Sequence, residues 1–394
     1  MSNFIKSNYT LNDLEKFRDK DGFIDLSIAG IQITPESKEK KGTKRLKNWI
    51  DFGGTKALIR GEVVENYSIY AELIVEEIAK QLGIETAHYD LIKVIDENGI
   101  ENLGVLSESI IDFDNEQLIS LHDLIGDEPQ VGDDEDDVEF EAATRYEFTV
   151  DKLKERLELV GYQEEEIQKI ILDYKKRLIF YLSVLDTDKH PENISFIKEI
   201  NGNGKIRLSP NYDSEMSLLL ERSKEMVKYF LDQPFGVECE AEVQDPKIGV
   251  IRRKEDAGWD EMWKDTLEEL IEDDEVYDYY NNCICGKIDI ESILQKVEER
   301  IHAKLPEEVK KTVIRAYSSR NEVIEEIMCG ELKPDYSEKG DSNYVDLLMK
   351  ALVNQSVQAN IRTGEQLYIG RIMESDMRQE KKEVYKDENY EEKS

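Results

Sequence analysis

The chain has 394 residues, 39% of them hydrophobic and 36% charged, which suits a globular protein of more than one lobe with a sizeable core. Its formal charge of −36 repels nucleic-acid phosphates and anionic lipid, so neither nucleic acid nor a membrane is an expected partner, whereas a protein substrate with a basic segment is. It contains no eighteen-residue apolar run and no signal-type N-terminus, and Cys239, Cys283, Cys285 and Cys329 lack metal-ligand spacing, which predicts free thiols in a reducing, cytoplasmic setting.

In chain order, "DGFIDLS" and "IQIT" predict short strands, and "ESKEKKGTKR" a basic loop. "LKNWIDF", "GG" and "TKALIRGE" predict a hairpin. From Ser68 to Leu82, apolar residues recur at helical spacing (Ala71, Ile74, Val75, Ile78, Ala79, Leu82), and Gly83 is the expected stop. "HYDLIKVID" and "LGVLSESII" follow as strands around "ENG". Residues 1–112 therefore read as a mainly antiparallel sheet carrying one helix. An acidic stretch, "GDEPQVGDDEDDVEFE", reads as a solvated loop. After it the chain turns helical, first in "TVDKLKERLELVG" with Thr149 as N-cap, then in "EEEIQKIILDYKKRLIFYLSVL". Further helices are predicted in "WDEMWKDTLEELIE", "DIESILQKVEERIHAKL", "EVKKTVIRAYSSRNEVIEEI" and "VDLLMKALVNQSV". The expected class is α+β and bilobal: a β-rich lobe over 1–112, a helical lobe over 113–330, and a helical extension with a polar tail over 331–394.

The segment "SVLDTDKHPENISFI" places Asp186, Asp188, Lys189, His190, Glu192 and Asn193 between two apolar runs. Asp188 and Asn193 stand five apart, and Asp213 follows in "LSPNYDSEM". "ISFIKEI", "NGNG" and "KIRLSP" lie between and predict a hairpin that returns Asp213 to Asn193. Kinase-type phosphoryl transfer uses such parts: an Asp that takes the hydroxyl proton, and an Asn and a second Asp as hard oxygen ligands for magnesium. Pro191 stiffens the loop between base and ligand.

"TDKHPENISF" followed by "LSPNYDSEM" resembles the catalytic and metal-binding segments of HipA-like serine/threonine kinases, including the smaller CtkA type. Asp188, His190, Asn193 and Ser195, then Pro210, Tyr212 and Asp213, match that pattern. "YAELIVEEIAKQLGIETAHYDLI" is similar to the family's N-lobe helix, with Glu72 near its start. The resemblance implies a bilobal kinase fold that uses ATP and Mg2+. It makes Asp188 the base, Asn193 and Asp213 the metal ligands, and His190 a brace of the loop, the last open equally to a buried structural imidazole.

Where the family has a strand Lys, this chain has Arg60, with Lys56 four residues earlier on the same strand face. Arg is larger and forked, so two arrangements stay open: Arg60 pairs with Glu72, or Lys56 reaches the phosphates. The resemblance also puts "ITPESKEKKGTK" over the phosphates, with Thr34, Ser37 and Thr43 as self-phosphorylation points. It puts "LSESII", including Glu108, at the adenine junction. It implies too that the family toxin's extra N-terminal subdomain is missing. The expected function is a Mg-ATP-dependent protein Ser/Thr kinase. The alternatives are a nucleotide-binding pseudokinase acting as an interaction module and a small-molecule kinase of the same fold. Oligomeric state is not legible in the sequence.

Overall fold

The computed structural model describes residues 4–31, 46–61, 66–95, 99, 101–125, 150–189, 191, 193–201, 205–243 and 262–329. They belong to one compact unit, Met1–Glu36 with Arg45–Leu332; a second unit, Ser37–Lys44 with Lys333–Ser394, lies outside the described residues. Also outside them are His190, Thr149, Thr34, Ser37, Thr43, the acidic stretch and "VDLLMKALVNQSV".

The β-rich part runs β1 (Ile5–Ser7), a 3-10 turn (Leu11–Phe17), β2 (Ile24–Asp25), β3 (Leu46–Phe52), β4 (Thr55–Gly61), α1 (Ser68–Gln81), β5 (Tyr89–Ile95) and β6 (Glu101–Glu108). One six-stranded sheet has the order β1-β3-β4-β6-β5-β2. Its centre is antiparallel, as expected from the hairpins, but both edges are parallel pairs, β1 with β3 and β2 with β5. Gly53 and Gly54 turn the β3–β4 hairpin with φ of 66° and 107°, a backbone that residues with a Cβ avoid. "DGFIDLS" contributes a strand of only two residues. The Asp25 carboxylate accepts from the Ser27 amide and hydroxyl, and that local turn ends the strand.

Alternation along β4 decides which side chains reach the site. Ala57 and Ile59 are buried with Leu14, Ile50, Phe52, Ile92 and Leu106 on one face. Lys56 and Arg60 therefore stand on the other face, the side on which α1 packs. Gly104 of β6 pairs with Gly61, and a Cβ there would lie 2.0 Å from the Arg60 carbonyl oxygen. That glycine lets the two strands approach at Arg60. α1 ends where expected, with Gly83 at φ 70°.

The helical part comprises β7 (Glu116–Ser120), α2 (Leu121–Ile125), α3 (Val150–Val160), α4 (Glu164–Ser183), β8 (Ser195–Glu199), β9 (Ile206–Leu208), α5 (Lys224–Asp232), α6 (Gly236–Val243), α7 (Met262–Ile271), α8 (Asp274–Tyr279), α9 (Ile290–Ile301) and α10 (Glu307–Cys329). The expected hairpin is β8–β9, and β7 joins it as a third strand that the sequence reading missed. No residue of β7 is fully buried, so it lacks a clean inside-outside alternation. One apolar core runs from α1 (Leu73, Ile74, Ile78) through α4 to Ile293 and Val297 of α9, so the β-rich and helical parts share it. The four cysteines are free thiols. No helix among the described residues is long and apolar enough to cross a membrane.

Candidate active site

After α4 the chain bends at Leu185 (φ 52°) into the polar loop. The Thr187 amide and hydroxyl both donate to the Met216 carbonyl, each at 3.1 Å. The Asn193 side chain folds back on the loop: its Nδ2 donates to the Asp188 carbonyl oxygen at 2.8 Å and to Asp188 Oδ2 at 3.0 Å. From outside, the Leu121 amide donates to the Ile194 carbonyl and the His122 amide to that of Pro191.

Lys189, fully buried, links this loop to the next one. Its Nζ donates to the carbonyls of Tyr212 (2.5 Å) and Asp213 (2.6 Å), and it lies 3.4 Å from Asp186 Oδ2. Burial opposes its charge, but the Asp186 carboxylate and nearby polar groups outweigh that and keep it a cation.

The turn after β9 is braced on every side. The Asn211 amide donates to the Glu85 carbonyl and the Asn211 carbonyl accepts from the Ala87 amide, both at 2.7 Å. Tyr212 OH and Ser195 Oγ share a hydrogen bond of 2.6 Å. Asp213 has φ 58°, a left-handed backbone that costs a residue with a Cβ about 1–3 kcal/mol unless its surroundings hold it. Here the Asp213 amide donates to Tyr89 OH at 3.0 Å, Lys189 holds its carbonyl, and the Ser214 amide donates to Glu72 Oε2 at 2.9 Å.

Arg60 closes the arrangement. Its guanidinium pairs with Glu72 through Nη2 and with Asp213 through Nη1, and Nη1 lies 3.7 Å from Glu215 Oε2. Burial works against this cation, yet the Asp213 and Glu215 charges outweigh it and raise its pKa. Of the two arrangements left open by the sequence, Arg60 is the residue joined to Glu72. Lys56 instead pairs with Asp51, its ammonium 4.7 Å from the Phe4 ring centroid. Glu108 ends β6 as an exposed residue opposite Ala57. On the Arg60 face, Trp49 stands edge-to-face with Phe4 and Phe113, ring centroids 6.5 and 5.2 Å away.

Sequence reading missed Lys189, Glu215 and Tyr89. Lys189 and Glu215 lie inside or beside the quoted motifs and were there to be weighed. Nothing local marks Tyr89.

The residues present fit a magnesium-type ion. Carboxylate oxygens of Glu72, Asp213 and Glu215 lie within 4.8 Å of one another, and all are hard donors. The donor end of the Asn193 amide is committed to Asp188, so its Oδ1 is the end open to a cation. In the structure, the positive charge among these carboxylates comes from Arg60.

No protein-family model and no curated protein matches the chain. Among solved structures, the chain is similar to the Helicobacter pylori proinflammatory kinase CtkA, with a TM-score of 0.53 at 14% identity over 76% of this chain and 96% of that one. A second similar structure is HipA of Shewanella oneidensis in complex with HipB and operator DNA, with a TM-score of 0.40 at 14% identity over 76% of this chain and 70% of that one. The CtkA likeness establishes the fold, which is α+β and kinase-like.

Proposed function

We propose that the chain is an ATP-dependent phosphotransferase, a protein Ser/Thr kinase of the HipA-like type working with magnesium. One observation carries this reading: Asn193 is hydrogen-bonded to Asp188 through its donor end, which holds a carboxylate in place and keeps an amide oxygen for a cation. Bound Mg-ATP supplies the phosphoryl group and neutralises the charge on the phosphates. Asp188 takes the proton of the incoming hydroxyl as its oxygen bonds to phosphorus and the bond to the leaving diphosphate breaks. Asn193 and Asp213 hold the ion; Glu72 orients Arg60, whose fork suits phosphate oxygens. The aromatic group of Trp49, Phe4 and Phe113, on the Arg60 face of the sheet, suits a planar base. The net charge of −36 favours a basic acceptor segment, and the free thiols suit the cytoplasm.

A second reading rests on Arg60. Because it spans Glu72 and Asp213, it could occupy the ion's place permanently and leave a nucleotide-binding pseudokinase. Radiolabelled ATP, magnesium and a basic protein decide between them. Label on protein is expected, with the rate falling about 10²–10⁴-fold in Asp188→Asn. Nucleotide binding without transfer would establish the pseudokinase reading. Transfer only to a sugar or aminoglycoside would move the acceptor to small molecules, and full activity in Asp188→Asn would remove that residue as base.

A further inference from the structure

α1 carries two inward-facing glutamates one turn apart, Glu72 and Glu76. Glu72 serves the site described above. Glu76 is completely buried one turn further along the same face, against α9 and the start of β5. Its Oε1 meets His88 Nδ1 and Lys80 Nζ, each at 2.7 Å. Its Oε2 accepts from the Tyr89 amide at 3.1 Å and lies 2.9 Å from Arg300 Nη1. Arg300, on α9, also reaches Glu77 Oε1 at 2.7 Å and donates to the Tyr89 carbonyl at 3.4 Å. Tyr89 is thus gripped at its amide by Glu76 and at its carbonyl by Arg300. Its ring is buried, and its phenol oxygen accepts the Asp213 amide.

We infer that Glu76 and Arg300 are positioning residues that act on Asp213 through Tyr89. The inference rests on the reading of Asp213 as part of the phosphate site. Asp213 has a left-handed backbone, and its amide, its carbonyl and the next amide are each held. The amide's partner is the one set by the α1–α9 seam. Loosening that seam shifts Tyr89, frees the Asp213 amide and lets the carboxylate leave the place where Glu72 and Arg60 meet it. A helix distant in sequence from every site motif thereby helps fix the geometry of the reacting end.

Hydrogen exchange across residues 210–216 tests this without relying on catalysis. Tyr89→Phe keeps the ring and removes the acceptor, so exchange there is expected to speed about tenfold, as for loss of one net hydrogen bond. Arg300→Gln should produce the same local change on top of a general loss of stability, with exchange at 210–216 rising more than exchange in β8, and Arg300→Lys should restore part of it. The double variant Tyr89→Phe with Arg300→Gln should exchange no faster than Tyr89→Phe alone, because both act through one bond. Additive effects, or unchanged exchange at 210–216 in Arg300→Gln, overturn the inference. Where the wild-type chain transfers phosphate, kcat should fall in the same order as exchange rises, with KM for the acceptor unchanged. Where it transfers none, the kinase reading fails while the exchange experiment still decides the coupling.

Discussion

Glu76 and Glu221 both bury their carboxylates, and the molecule treats them in opposite ways. At the α1–α9 seam, burial works against the Glu76 charge, but the His88 hydrogen bond, Arg300 and Lys80 outweigh it and hold its carboxyl below the usual range. Glu221 lies eight residues past Asp213, with Arg222 Nε 3.3 Å from its Oε1. There burial dominates; the Glu240 and Asp186 charges add to it, and the carboxyl is lifted to about 7 despite Arg222. Burial of the carboxylate therefore goes with one fixed anion and one group that changes charge near neutrality. Partners, more than depth, decide which.

The sharpest way to break this contrast is Glu76→Ala. It strands Arg300, His88, Lys80 and the Tyr89 amide, and is expected to cost about 3–5 kcal/mol of stability in denaturant unfolding. A loss below about 1 kcal/mol would mean the buried anion is not held as described. Glu221→Gln should act in the opposite direction. Because the fold raises this carboxyl, the native state takes up a proton between the ordinary value of 4.5 and about 7, and stability falls as pH rises through that window. The amide has no charge to bury, so the variant should match the wild type at pH near 4.5 and exceed it by about 3 kcal/mol at pH 8. An equal gain at both pH values would contradict the assignment.

A smaller effect is expected where one guanidinium serves several carboxylates. Arg60→Gln leaves Glu72, Asp213 and Glu215 converging without their cation, so Mn2+ should bind about tenfold more tightly in the absence of nucleotide, a change of about 1.4 kcal/mol. Electron paramagnetic resonance titration reads this directly, and weaker binding would remove the three carboxylates as an ion site. The smallest effect belongs to His88, which is half exposed. Its hydrogen bond to Glu76 raises its pKa above the ordinary imidazole value, so its contribution is complete below about pH 6.5 and fades as pH rises beyond that. Thermal melts of His88→Gln should differ from wild type more at pH 6 than at pH 9; the reverse order would show that the neutral ring is the favoured partner.

Much of the frame was legible because its causes are local. Apolar spacing along Ser68–Gln81 marked α1, and Gly53–Gly54 marked a turn that needs positive φ. The Asp188-to-Asn193 spacing placed two groups on one loop, where they are hydrogen-bonded. β7 stayed hidden because its residues are only half buried, and the parallel edges because pairing across a sheet leaves no mark on either strand.

The amino-acid order by itself determined the periods, the turns and the short-range company of Asp188. Only the tertiary structure decided that Arg60 bridges Glu72 to Asp213 and that Arg300 reaches Glu76 and Tyr89. Periodicity and turn chemistry act over a few residues of chain. Which charge meets which across the fold depends on how whole elements pack, since an ion pair is decided by a few ångströms that no local pattern encodes.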